Sequence, residues 1–246
     1  MLCTRAQVKS LLSLATADTA SDAQIDLLAA NVSDRFAHEA DRVANGAGCL
    51  ELVTLTERFS IERDQRVLWL AARPVIDVDS LKEAVAGAFA AAAELVENTD
   101  WQMVYAWGKL IRIGWWLPGD LTVQVTYSGG YVNAPAWVSG AAYVAGDCTS
   151  YGAVPYAGSV YQCILNVTGT TVPSADPTHW TAKPTFVPVP RELADAAAKQ
   201  TAFYFRRMDK LGVSSEGVQG ASIQQYCQDD LLPEVKGILA RYRRVM

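Results

Sequence analysis

Val189-Pro190-Arg191-Glu192-Leu193 opens the last quarter of the chain, and the reading of the whole depends on the elements that this stretch introduces. A proline suits the first turn of a helix, where its missing N–H would have had no partner, so an amphipathic helix is expected to start here. It runs into Leu211-Gly212-Val213-Ser214-Ser215-Glu216 and a polar loop with Gly217 and Gly220. A closing helix is expected from Leu232-Pro233-Glu234-Val235-Lys236 to Arg241-Tyr242-Arg243-Arg244. Near its end Leu239, Tyr242 and Val245 offer apolar contacts, while Arg241, Arg243 and Arg244 offer charge.

Working outward, 246 residues with 50% hydrophobic and 19% charged side chains can bury a real core, in one large or two small domains. The net charge of −5 argues against a dedicated duplex-binding protein, which needs an excess of cations to neutralise phosphates. No apolar run approaches the roughly 18 to 20 residues that cross a bilayer, and Met1-Leu2-Cys3-Thr4-Arg5 lacks a signal-peptide layout. No membrane partner and a cytoplasmic product at synthesis are expected. Cys3, Cys49, Cys148, Cys163 and Cys227 are odd in number and contain no C-x-x-C pair, so neither a zinc site nor a secreted disulfide framework is indicated. Cys148 and Cys163 share one β-rich segment and could face each other on adjacent strands.

Two helix starts lie near the N-terminus, Thr4-Arg5-Ala6-Gln7 and Ser21-Asp22-Ala23-Gln24, each with the hydroxyl and the Gln spaced as a capping box. The second helix carries Ile25, Leu28, Val32, Phe36, Ala40 and Val43 on one stripe, leaves Arg35, Glu39 and Arg42 in water, and is expected to stop at Asn45-Gly46. From Cys49 the apolar period changes to that of strands: 52–59, 67–70, 75–81, 101–105, 110–113 and 121–127 read as a small antiparallel sheet. The Ala-rich run 87–95 is compatible with a loop or with one or more helical turns. Residues 134–188 stand apart in composition. With Pro190 they hold seven of the ten prolines, and Asp147, Asp176 and Lys183 are their charged residues, which marks a domain boundary.

Catalytic constellations are thin. His38 and His179 are the two histidines and read as surface or packing residues. Ser214 is followed by Ser215-Glu216 where a nucleophile elbow needs Gly, and no phosphate-cradling glycine motif appears. Asp77 and Asp79 alternate along a strand, and Asp229 with Asp230 reads as a cap on the last helix. No catalytic, metal or cofactor site is expected, and the chain does not read as an enzyme.

Helix, "GVSSE" loop and short basic helix ending in Tyr-Arg resemble the C-terminal half of the head–tail connector (adaptor) proteins of long-tailed bacteriophages. The segment Ala72-Arg73-Pro74-Val75, the strand from Leu121 to Gly130-Tyr131 and the Val189-Pro190 element also resemble that family. Where its members join Gly-Tyr to Val-Pro by a few residues, this chain inserts 134–188. Within the insertion Trp137, Tyr143-Val144-Ala145-Gly146-Asp147, Tyr151, Tyr161, Pro173 and Trp180 resemble small chitin- and cellulose-binding modules. The adjacent tryptophans that supply the sugar platform in such modules are replaced here by Ile164-Leu165.

The resemblance implies an α+β fold: a helical connector core with a small antiparallel sheet, 1–133 and 189–246, plus an inserted small all-β module, 134–188. It implies a structural subunit of the phage neck, in the virion and, during assembly, in the host cytoplasm. Such subunits form a twelve-fold ring between the portal protein and the head-closure (stopper) or tail-terminator protein, and double-stranded DNA passes through it. Leu239, Arg241, Tyr242, Arg243, Arg244 and Val245 are then the candidate portal contacts. The alternative is a carbohydrate-binding accessory virion protein acting through Trp137, Tyr143, Tyr151 and Trp180.

Overall fold

The computed structural model describes residues 1–44, 46–151, 159–208, 215–216, 224–225 and 231–243. Four α-helices are seen among these, α1 (Arg5–Leu12), α2 (Asp22–Glu39), α3 (Arg191–Arg207) and α4 (Pro233–Leu239). They close around one core that includes Leu2, Ile25, Phe36, Leu193, Val235 and Leu239. Thr4 caps α1 with the expected box: its hydroxyl accepts from the Gln7 N–H and the Gln7 side chain accepts from the Thr4 N–H. Ser21 makes no such bond at the start of α2. Instead Lys9, buried at the end of α1, donates to the Thr16 and Asp18 carbonyls and pairs with Asp22, which ties the α1–α2 connection to the helix.

Helix α2 ends at Glu39, earlier than its apolar stripe suggests, because Asp41 turns the backbone into the left-handed region at φ 52°. A two-residue ladder, β1 (Val43–Ala44) with β2 (Ala47–Gly48), then leads to the β-rich part. There β3 (Val53–Ile61), β4 (Val67–Trp69), β5 (Val75–Glu83), β6 (Trp101–Val104), β7 (Lys109–Arg112) and β8 (Gly119–Gly129) form two antiparallel sheets, ordered β3-β8-β5 and β4-β7-β6. Along β8 the pleat sends Val123, Val125 and Tyr127 into a core shared with Leu68, Trp101, Leu110 and Trp116. Their neighbours Gln124, Thr126 and Ser128 stay half-exposed.

Downstream, β9 (Ala141–Tyr143) pairs with β12 (Val167–Gly169), and β10 (Cys148–Tyr151), β11 (Ser159–Cys163) and β13 (Trp180–Ala182) make a three-stranded sheet. The two ends of segment 134–188 lie side by side, since the Val132 N–H donates to the Val187 carbonyl at 2.9 Å and the Val189 N–H to the Val132 carbonyl at 3.0 Å. The register pairs Cys148 with Gln162 and Cys163 with Trp180, so the two cysteines sit one residue out of step and face opposite sides of the sheet. Both are free thiols. A short ladder, β14 (Ser215–Glu216) with β15 (Gln224–Gln225), lies between α3 and α4.

The expected helical core carrying a small sheet and an inserted module is therefore corrected. Strands predominate, and the β-rich part is a pair of sheets with a core of its own, beside the helical one. The physical reason lies in the bulky side chains of 49–129. Trp101, Trp116 and Tyr127 cannot all be buried on one face of a single small sheet, whereas two sheets sharing a core bury them together. The Ala-rich run resolves into two single 3₁₀ turns, Val85–Gly87 and Phe89–Ala91.

Gly129 and Gly130 mark where β8 meets the rest. At Gly130, φ is +104° and a β-carbon would lie 2.1 Å from the Glu51 carbonyl oxygen; at Gly129 it would lie 2.5 Å from the Ala72 oxygen. Gly140 has a similar backbone, φ +81°, in open space. Gly140→Ala should then cost only the strain of a left-handed alanine, about 1 to 2 kcal/mol. Gly130→Ala should cost clearly more, because backbone must also move. Urea midpoints of the two variants test the difference, and equal losses would show that the close approach at Gly130 is not a constraint.

Candidate assembly joint

The turn between β4 and β5 is held from below. The Glu57 carboxylate on β3 accepts from the Ala71 N–H at 2.9 Å and from the Tyr127 hydroxyl, and that hydroxyl accepts from the Ala72 N–H at 2.9 Å. Burial, and then the Glu57 charge, push the Tyr127 phenol far above its ordinary range, so it stays a donor. Arg73-Pro74, a cis peptide, comes immediately afterwards, and the Pro74 carbonyl accepts from the Gly130 N–H at 2.8 Å.

Two guanidiniums join this turn to the C-terminal segment. Arg42, 5% exposed, donates from Nη1 to the Arg73 carbonyl and from Nε to the Tyr242 carbonyl at 2.9 Å. Arg73, itself buried, donates from Nη2 to the Arg243 carbonyl. Burial and the neighbouring Arg73 charge pull the Arg42 guanidinium down to about 10, so it remains a cation at neutral pH. The Tyr131 ring packs edge-on against Tyr242, with centroids 6.1 Å apart. Burial raises the Tyr131 phenol, and Arg42 draws it partly back.

Around this joint the candidate partner contacts are engaged within the chain. Leu239 is buried in the helical core. Arg241 pairs with Glu192 on α3 at 2.7 Å, and the Tyr242 hydroxyl donates to the same carboxylate at 2.9 Å. Burial and that charge raise the Tyr242 phenol. Arg243 pairs with Glu39 at the end of α2, 3.3 Å away. Arg244 and Val245, the Gly212–Ser214 part of the "GVSSE" loop, Cys227, and the pair Asp229 and Asp230 lie outside the described residues. The N-cap residue of α4 is Leu232, followed by Pro233 at the first helical position.

The four aromatic glycan candidates form two edge-to-face pairs, Trp137 with Tyr151 at 5.8 Å and Tyr143 with Trp180 at 4.9 Å. Trp180 is 3% exposed, and the Tyr143 hydroxyl is bonded to the Val138 backbone. His179 is held by Asp176, three residues back, at 2.9 Å, and His38 by Asp34 at 3.7 Å. Among the described residues no group of three or more His, Cys, Asp or Glu could hold a metal ion, and no helix is long and apolar enough to cross a membrane.

Periodicity assigns Arg42 to the wet side of α2, and this is corrected: it lies beyond the helix end and is buried. Nothing in the local sequence distinguishes it from Arg35. Glu57 and Tyr127 are equally silent, since alternation along a strand tells which face a residue takes but not that a carboxylate and a phenol on the inner face meet.

No family model and no curated protein matches the chain. Solved structures do match, among them one described as "Neck of empty GTA particle computed with C6 symmetry", at 16% identity and TM-score 0.49, covering 98% of this chain and 89% of that one. A similarity of that size does not establish a shared fold.

Arg42→Met removes the donor to one buried and one partly buried carbonyl. At about 1 to 3 kcal/mol for each orphaned group, the loss should be about 2 to 6 kcal/mol, against about 1 kcal/mol for Tyr242→Phe, whose hydroxyl bond is exposed. Chemical denaturation checks the ranking. Trp180→Ala should melt the 141–182 sheets at a cost of about 3 to 5 kcal/mol, as for other buried large aromatics. A Trp180→Ala variant that keeps these sheets while losing chitin-oligosaccharide binding would instead make the segment a lectin.

Proposed function

We propose that this chain is a head–tail connector (adaptor) subunit of a phage neck, a structural protein that acts without catalysis. The observation that supports the reading is a convergence in space. Arg73-Pro74-Val75, Gly130-Tyr131 and the C-terminal Tyr242-Arg243 lie far apart in sequence, carry the resemblance to that family, and meet at one joint. Scattered matches arising by chance would have no reason to share a contact.

In this reading the subunits form a homo-oligomeric ring, twelve-fold as the resemblance implies. The ring lies between the portal and the head-closure or tail-terminator protein, and DNA passes along its axis. Its net charge of −5 suits a channel that does not hold DNA. The portal candidates among the described residues divide in two. Leu239 serves the subunit's own core, whereas Arg241, Tyr242 and Arg243 make exposed pairs whose separation costs little, typically about 0 to 1 kcal/mol per surface ion pair, so a partner can exchange for them. Residues 134–188 form a unit of their own, outside the ring wall; their adjacent ends and internal strand pairing support this. The carbohydrate-binding alternative gains no support from four aromatics packed against one another.

Negative-stain electron microscopy of the purified full-length chain, alone and mixed with a portal ring, tests the proposal. Closed rings, or a ring seated on the portal, are expected. A chain that stays monomeric in both preparations contradicts it. Removing 134–188 and joining Asn133 to Val189 should leave the ring intact, and an insoluble product would show the boundaries to be wrong.

A further inference from the structure

An open groove of about 620 Å³ is lined by Pro74, by Val75 and Asp77 at the start of β5, by Tyr105 in the turn between β6 and β7, and by Tyr131 and Val187. Asp77 is the only charged residue among its described lining residues, and the other walls are chiefly apolar. Tyr105 and Val187 are each left 37% exposed there. The walls are fixed before anything enters. The Tyr105 hydroxyl donates to both oxygens of the Glu97 carboxylate, at 2.9 and 3.1 Å, and the Val187 carbonyl accepts from the Val132 N–H. Strand β5 is an edge of its sheet. Glu94 and Leu95 cover its second half through the Lys82–Glu94 bridge and the Leu81–Leu95 bond, whereas its first half, with a bulge at Ile76, borders the groove. Apolar surface beside a strand edge is where a further segment of chain packs most readily.

The joint brings the chain's own C-terminal segment to this place. Arg73 holds the Arg243 carbonyl, and the residue after Arg73 is Pro74, part of the groove lining. The Tyr242 ring packs on Tyr131, which also lines the groove. Arg243 has φ −57° and ψ 146°, so the helical run has ended there and the backbone leaves that residue extended. Arg244-Val245-Met246 follow in the sequence. At roughly 3.3 Å per extended residue they reach about 10 Å from Arg243. One cation followed by two apolar side chains complements a groove with one carboxylate and apolar walls.

We propose that this groove is the seat of the chain's own Arg244-Val245-Met246, with Val245 and Met246 against the apolar walls and Arg244 paired to Asp77. The seat depends only on the groove and these three residues; that a portal ring draws them out of it rests on the connector reading. In that reading the subunit keeps part of its portal-binding surface covered by its own groove until the portal competes for it.

NMR of the full-length chain labelled at its Ile, Val and Met methyl groups tests the seat. Nuclear Overhauser contacts are expected from the Val245 and Met246 methyls to those of Ile76 and Val187, and the Met246 methyl should be displaced from its free-peptide shift by the Tyr105 and Tyr131 rings. A chain ending at Arg243 should move the Ile76 and Val187 methyls while leaving those of Val123 and Val235, in the two cores, where they were. Absence of these contacts, or Ile76 and Val187 methyls that do not move, overturns the proposal. If the shortened chain fails to fold, Val245→Asp with Met246→Asp in the full-length chain must move the same two methyls. Contacts that appear only between differently labelled copies in a mixed sample also overturn it, and give the groove to a neighbouring copy. On adding a portal ring the Met246 methyl should leave its seated shift. A bound portal that leaves it unmoved overturns the release step, while a portal that does not bind counts against the connector reading alone.

Discussion

Everything in this molecule hangs on how the backbone carbonyls of Arg73, Tyr242 and Arg243 are satisfied where the sheets meet the helices. A carbonyl buried without a donor is costly; that of Arg73 is buried and those of Tyr242 and Arg243 partly so, and all three lie outside the strands that would supply one. Arg42 and Arg73 supply the donors. The guanidinium suits the task because its N–H groups fan out in a plane, so that Arg42 alone spans a carbonyl from the β4–β5 turn and one from the C-terminal segment. Two cations side by side repel, which contributes to pulling Arg42 down to about 10. The contact persists because each charge is also hydrogen-bonded.

The remaining features of the joint come from bringing backbones that close. Gly129 and Gly130 are glycines because carbonyls of Ala72 and Glu51 occupy the space of a side chain. Glu57 and Tyr127 hold the Ala71-Ala72 amides so that the Arg73 carbonyl is presented to Arg42. On the helical side, Val235 and Leu239 bury α4 in the core and bring Tyr242 to Tyr131. A chain cut before α4 would thus lose core residues as well as its basic tip, so the C-terminal segment is part of the chain's own fold.

Legibility of the sequence tracks the range of the interactions. The Thr4 capping box, the proline start of α3 and most strand positions depend on neighbours within a few residues, and they are readable. What escapes the sequence depends on distant neighbours. Periodicity shows that Val123, Val125 and Tyr127 point one way, but not that a second sheet lies there to receive them, so two sheets read as one. Arg42 looks like any helix-surface arginine because its partners lie 31 and 200 residues away. Cys148 and Cys163 do share a sheet, yet a one-residue register separates them, and register depends on the whole ladder. The Tyr-Arg end and Arg73-Pro74 stand out in the sequence only through family resemblance; that they touch is visible only in three dimensions.

Native-state hydrogen exchange of wild type and Arg42→Met addresses the central claim, that one pair of arginines locks the C-terminal segment to the sheets. The account predicts that the substitution speeds exchange of the amides of α4 and of Gly130 and Tyr131 together, by similar factors, while the β3-β8 ladder keeps its protection. If α4 exchanges as slowly as before, or if the β3-β8 ladder opens along with it, the joint is not the element that holds the two parts together.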